Sequence, residues 1–156
     1  MTNTKINFSL LLGLLSIFFI IKPTQAAYVY VDANGVNSSE DGSVEYPFHT
    51  ISRALGQGEQ ILVKSGNYNE EITLPENATL LGEDKNTVII DREGQEGTAV
   101  TMGKNSAIEN VTVRGGNYSI VAPAFKKSTI RDCVVEKSKR IGVWIKKKQQ
   151  SPGKQC

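Results

Sequence analysis

The sequence predicts an all-β chain folded as a parallel β-helix, a solenoid of stacked coils, and three observations point to it. Ala107-Ile108-Glu109-Asn110-Val111-Thr112-Val113 superposes without gaps on Thr129-Ile130-Arg131-Asp132-Cys133-Val134-Val135, an offset of 22 that keeps every apolar position. Thr79-Leu80-Leu81-Gly82 opens a third copy 28 positions before the first of these, and the polar stretch Glu83 to Asn86 reads as a loop inserted before Thr87-Val88-Ile89-Ile90. Gly82, Asn110 and Asp132 share one place in the three copies, and all three residue types tolerate left-handed backbone, so a sharp bend is predicted there once per coil. Between the bends runs a second repeating strand, in Ala99-Val100-Thr101-Met102, Ser119-Ile120-Val121-Ala122 and Gly142-Val143-Trp144-Ile145. A single coil cannot bury its own apolar face, so such repeats fold by stacking.

Taken from the N-terminus, Lys5 followed by the apolar run Phe8 to Ile21 has the form of a secretory signal. The run is shorter than the roughly 20 residues of a membrane span, and Thr24-Gln25-Ala26 offers small residues for cleavage after Ala26. Residues 1–26 are therefore expected to be a signal peptide, making the mature chain secreted or extracellular, or periplasmic, with no membrane anchor after signal removal. Pro47 to Leu55 reads as a short capping helix with Thr50 at its N-cap and Ile51, Ala54 and Leu55 on one face. Laid across the first coil, such a helix would shield an open sheet edge. Gln60-Ile61-Leu62-Val63 is the first expected strand, Gly66-Asn67-Tyr68 a turn, and Glu71-Ile72-Thr73-Leu74 the next strand.

In the later coils the period-two pattern sets which residues face inward. Val100, Ile120 and Val143 should stack inside with Met102, Ala122 and Ile145, leaving Thr101, Val121 and Trp144 outside. Cys133 falls at an inward position and reads as a buried thiol. After Ile145 the strand pattern stops at a lysine-rich polar stretch, so the expectation is a β-helix domain over 27–145, itself incomplete, and a disordered basic tail over 146–156. A solenoid normally ends in a cap, and the reading offered for its absence is a truncated reading frame.

Composition excludes several functions. His49 is the only histidine, which leaves no His-based metal cluster and no Ser-His-Asp triad. Cys133 and Cys156 are the only cysteines, too few for a disulfide framework. Charge is uneven: residues 27–112 hold 5 Lys/Arg against 14 Asp/Glu, and residues 113–156 hold 11 against 2. Such a basic end can attract an acidic polymer, or simply be a solvated surface. Export argues against nucleic acid as a partner. The acidic group Glu40, Asp41 and Glu45 offers oxygen ligands that calcium could use, or a solvated loop. No other cofactor is indicated.

Asp32 to Gly35, Asp41-Gly42-Ser43, Pro47-Phe48, Thr50-Ile51, Ala54-Leu55, Ile61-Leu62-Val63, Gly66-Asn67-Tyr68, Glu71-Ile72, Leu80-Leu81-Gly82 and Thr87-Val88-Ile89-Ile90-Asp91 resemble the opening of secreted right-handed parallel β-helix proteins of the pectin-lyase-like superfamily. The likeness runs from Tyr28 to Ile145 and is closest to an N-terminal module of unassigned function. It implies a right-handed β-helix and extracellular polysaccharide as the ligand class. Lyases of this superfamily use a Lys or Arg base with calcium held by several carboxylates, and the esterases use paired aspartates; neither set can be matched to positions here.

No catalytic residues are therefore assigned, and the expected function is a non-catalytic module that recognises extracellular polysaccharide. The alternative is an N-terminal fragment of a polysaccharide lyase or related carbohydrate-active enzyme. For ligand binding the candidates are Trp144, an outward aromatic able to stack on a sugar ring, with Tyr118 and Arg114 on the neighbouring segment Arg114 to Tyr118, expected as a loop. Each taken singly also reads as a side chain packed under a loop or solvating the surface.

Overall fold

A computed structural model describes residues 27–36, 39–124 and 127–146. The proposed signal peptide and all of the proposed tail except Lys146 lie outside the described residues. Among the described residues thirteen strands and one helical turn make a parallel β-solenoid of about four turns. A leading strand, β1 (Tyr28–Val31), and a single helical turn, α1 (Ile51–Ala54), precede four coils of three strands. These are β2 (Gln60–Val63), β3 (Gly66–Tyr68) and β4 (Ile72–Thr73); β5 (Thr79–Gly82), β6 (Val88–Arg92) and β7 (Thr98–Thr101); β8 (Ala107–Glu109), β9 (Thr112–Gly115) and β10 (Tyr118–Pro123); and β11 (Thr129–Arg131), β12 (Val134–Glu136) and β13 (Ile141–Lys146).

Strands at the same place in successive coils pair in parallel and form three sheets, ordered β1-β2-β5-β8-β11, β3-β6-β9-β12 and β4-β7-β10-β13. The predicted repeat register is the observed one. Leu80 pairs with Ile108 and Ile108 with Ile130, and Val100 pairs with Ile120, which pairs with Val143. β-branched side chains suit this position because they fill a pleated surface with little rotamer freedom to lose. Ile61, Leu80 and Ile108 stack as one column of the core, Ile90 and Val113 as a second, and Ile72, Val100 and Ile120 as a third, all at most 1% exposed.

The inserted loop is present and is held from the next coil. Asn110 Nδ2 donates to the carbonyls of Gly82 and Glu83 at 2.9 and 3.0 Å, its side-chain oxygen accepts from Lys85 N, and Thr112 Oγ1 donates to Lys85 O at 2.7 Å. The bend prediction holds for Asn110 (φ 56) and Asp132 (φ 51) and fails for Gly82, which is not left-handed. Glycine serves a different end there. A Cβ on Gly82 would lie 2.2 Å from Asn110 O and 2.6 Å from Val111 Cγ1, so the side chain is missing because the next coil's backbone crosses that spot.

Three other expectations change near the N-terminus. Gly66-Asn67-Tyr68 is a strand, pairing with Val88-Ile89-Ile90, and its Tyr68 side chain is buried with the hydroxyl donating to Lys64 O (2.8 Å) and accepting from Ala33 N (3.2 Å). Gln60–Val63 is not the first strand, since Tyr28–Val31 pairs with it residue for residue. The helix is one turn rather than the whole of 47–55: Phe48 exchanges hydrogen bonds with Tyr30 O and Asp32 N, which commits its backbone to the sheet edge before the turn begins. Thr50 does cap that turn, accepting from Arg53 N at 3.3 Å, and the Glu70 carboxylate takes the N–H groups of Ile51 and Ser52.

At the other end, β13 runs through Lys146, one residue into the segment assigned to the tail. Cys133 points inward but is only partly buried, since among the described residues no coil covers the fourth; its Sγ lies against the carbonyls of Arg131 and Ile108, and partial burial pushes its thiol up from the ordinary value. Among the described residues no helix is long and apolar enough to cross a membrane.

Candidate functional site

β10 and β13 bring two of the three candidate residues together. Val121 and Trp144 are register partners on the outward side of that sheet, and Trp144 reaches the Tyr118 ring, stacking at 4.8 Å between centroids with 27° between planes. Pairing alone does not make this contact, because Trp144 is in register with Val121, three residues along β10 from Tyr118, and the two side chains have to reach toward one another along the strands. Lys146 adds a cation: its Nζ lies 5.9 Å from the centre of the Trp144 ring, within cation–π range. Sequence reasoning assigned Lys146 to a tail and so missed it. The signal was there, since Lys146 stands two residues beyond Trp144 and falls on the same face of a strand. Trp144 keeps 38% of its surface exposed, leaving part of the aromatic stack open to a ligand.

Arg114 lies elsewhere. It is a strand residue of β9, in a different sheet from Tyr118 and Trp144, and not part of a loop. Asp91, Arg114 and Glu136 occupy one register position in three successive coils, and the guanidinium bridges both carboxylates, Nε to Glu136 at 2.8 Å and Nη1 to Asp91 at 3.2 Å. The hydrogen bond to Glu136 raises the Arg114 pKa, desolvation opposes it, and Asp91 adds to the rise. The pattern is that of an inter-coil clasp. Lys137 repeats it across two coils by pairing with Glu93 at 2.9 Å.

The acidic group near the N-terminus is drawn into the fold. Glu40 Oε1 lies 2.8 Å from His49 Nδ1 and 3.3 Å from Arg53, Glu40 Oε2 accepts from His49 N, and the far ring nitrogen of His49 meets Gly35 O at 2.8 Å. Burial works to raise the Glu40 carboxyl, but the hydrogen bonds from His49, with the charge of Arg53, outweigh it and hold the group below its ordinary value. Asp41 accepts from Ser43, chiefly through that bond lying below its own ordinary value. Among the described residues no group of three His, Cys, Asp or Glu side chains is placed to hold a metal ion.

A family model described as "Protein of unknown function (DUF1565)" matches residues 33–154. The chain belongs to the DUF1565 family. No curated protein matches it, and no solved structure does. Within this DUF1565 chain the matched span takes in all four coils and both aromatic residues of the stack.

Proposed function

We propose that this chain is a secreted, right-handed parallel β-helix module of the pectin-lyase-like type, entered through a capping helix, that recognises extracellular polysaccharide and does no chemistry on it. The observation that carries the reading is the Tyr118–Trp144 stack with Lys146 beside it on the outside of a sheet. A flat, partly exposed aromatic pair on a rigid sheet matches the face of a sugar ring by dispersion and C–H contacts, and it is ordered before the ligand arrives. A cation at its edge favours sugars that carry carboxylates. The proposed export and the extracellular ligand fit one another.

Trp144 is the only tryptophan, so its emission reports on this face alone. Titration with polygalacturonate and with neutral glycans should shift or quench that emission to saturation for at least one of them. Tyr118→Ala should weaken that binding about tenfold, as expected for one lost stacking partner of about 1.4 kcal/mol. Emission indifferent to every glycan would overturn the reading. Release of unsaturated product from polygalacturonate in the presence of calcium would overturn its non-catalytic part and favour a lyase.

A further inference from the structure

The exposed large hydrophobic residues among the described positions fall at the two ends of the solenoid and nowhere between. Tyr28, Val36, Val44 and Tyr46 lie at the N-terminal end, and Ile130, Val134, Ile141, Val143, Trp144 and Ile145 in the last coil. The ends also differ in charge. Residues 27–59 hold Asp32, Glu40, Asp41, Glu45 and Glu59 against Arg53, while residues 127–146 hold Lys127, Arg131, Lys137, Lys139, Arg140 and Lys146 against Asp132 and Glu136.

We propose that copies of this chain associate head to tail, the basic, apolar last coil of one seating on the acidic, apolar N-terminal end of the next. Charge complementarity selects this arrangement over its rivals. Two last coils meeting face to face would bring their lysines and arginines together, and two N-terminal ends would do the same with their carboxylates. Among the described residues the three strands of the last coil each end a sheet with one edge unpaired, and such edges favour a neighbour. At the N-terminal end the outer edge of β1 is already taken by the Gly42 and Phe48 backbone. The contact is therefore made by side chains of the segment covering β1, with Val36 and Val44, 95% and 55% exposed, at its surface. A contact between unlike ends does not close on itself and builds a growing row.

Sedimentation equilibrium of the full chain should show a mass that rises with concentration, with an association constant falling about tenfold between low and high salt. A double variant of the N-terminal end, Val36→Lys with Val44→Lys, and one of the last coil, Ile141→Glu with Ile145→Glu, should each be monomeric alone. Mixed, they should form a one-to-one dimer and nothing larger, because each retains one sound end. That dimer also shows that both variants are folded. A wild-type chain monomeric at every concentration would overturn the proposal. So would an N-terminal variant that still dimerises, which would mean last coil on last coil, and so would variants that fail to pair when mixed.

Discussion

The third coil and the fourth carry the same apolar pattern and end in different physical states. Ile108 and Ile120 are fully buried, whereas their register partners Ile130 and Val143 are 36% and 43% exposed. The fourth coil keeps the strands, the register and the left-handed bend, and among the described residues it has no layer above it. At the N-terminal end the equivalent layer exists, made of the segment that bonds to the outer edge of β1 and the turn α1, and there Val31, Ile51 and Ala54 are fully buried. Hydrophobic stabilisation follows the area removed from water, so an inward position is worth what its neighbour covers. Inward pattern and burial are separate properties in a solenoid.

The largest effect should come from truncating the same column in the two coils. Ile108→Ala should cost about 2–5 kcal/mol in denaturant unfolding, while Ile130→Ala should cost under about 1 kcal/mol. Equal losses would show that the fourth coil is covered in solution. Gly82→Ala should destabilise by about 1–3 kcal/mol because its methyl meets the Asn110 backbone, and a neutral result would mean that the coils can slide apart there. Tyr68→Phe leaves the partly buried Lys64 carbonyl and Ala33 N–H without the hydroxyl and should cost about 1–2 kcal/mol. Burial also pushes the Tyr68 phenol up to about 12 from 10.0. Its neutral form is the one the fold favours, so that contribution is complete below 10.0 and is lost as pH rises toward 12; the phenylalanine variant should lack this alkaline loss.

The smallest effect concerns the covered end. Glu40 is held below its ordinary value of 4.5, so its contribution is present above that value and disappears as pH falls through the lower, folded value. Protection of the His49 amide, which donates to Glu40, against hydrogen exchange should fall, relative to the intrinsic rate at each pH, on acidification below 4.5 in the wild type. In Glu40→Gln that protection should already be lower at neutral pH and should lack the acid step, while protection in the fourth coil is unaffected.

Much of the repeat is legible along the chain because its information is local. Alternation of apolar residues names the strands, and Asn110 and Asp132 name their bend by tolerating positive φ. Half of the candidate site is legible in the same way, since outward alternation puts Trp144, and Lys146 after it, on one face. Arg114 shows where such reasoning stops. Its neighbours in sequence are Val113 and Gly115, whereas its partners Asp91 and Glu136 stand 23 and 22 residues away, and only stacking makes them neighbours.

The sequence by itself determined that short strands recur with offsets of 20 to 28, which residues point inward, and that one aromatic stands on the outside. Those properties depend on φ/ψ preference and on the period of two, both written within a few consecutive residues. Tertiary structure alone decided that Gly82 is small to admit a crossing backbone, that Gly66 to Tyr68 is a strand, that Tyr28–Val31 joins the first sheet, and that Tyr118 and Trp144 stack. Each of these depends on what another coil or the covering segment places at the same height, and the intervening turns, which vary in length, set that height.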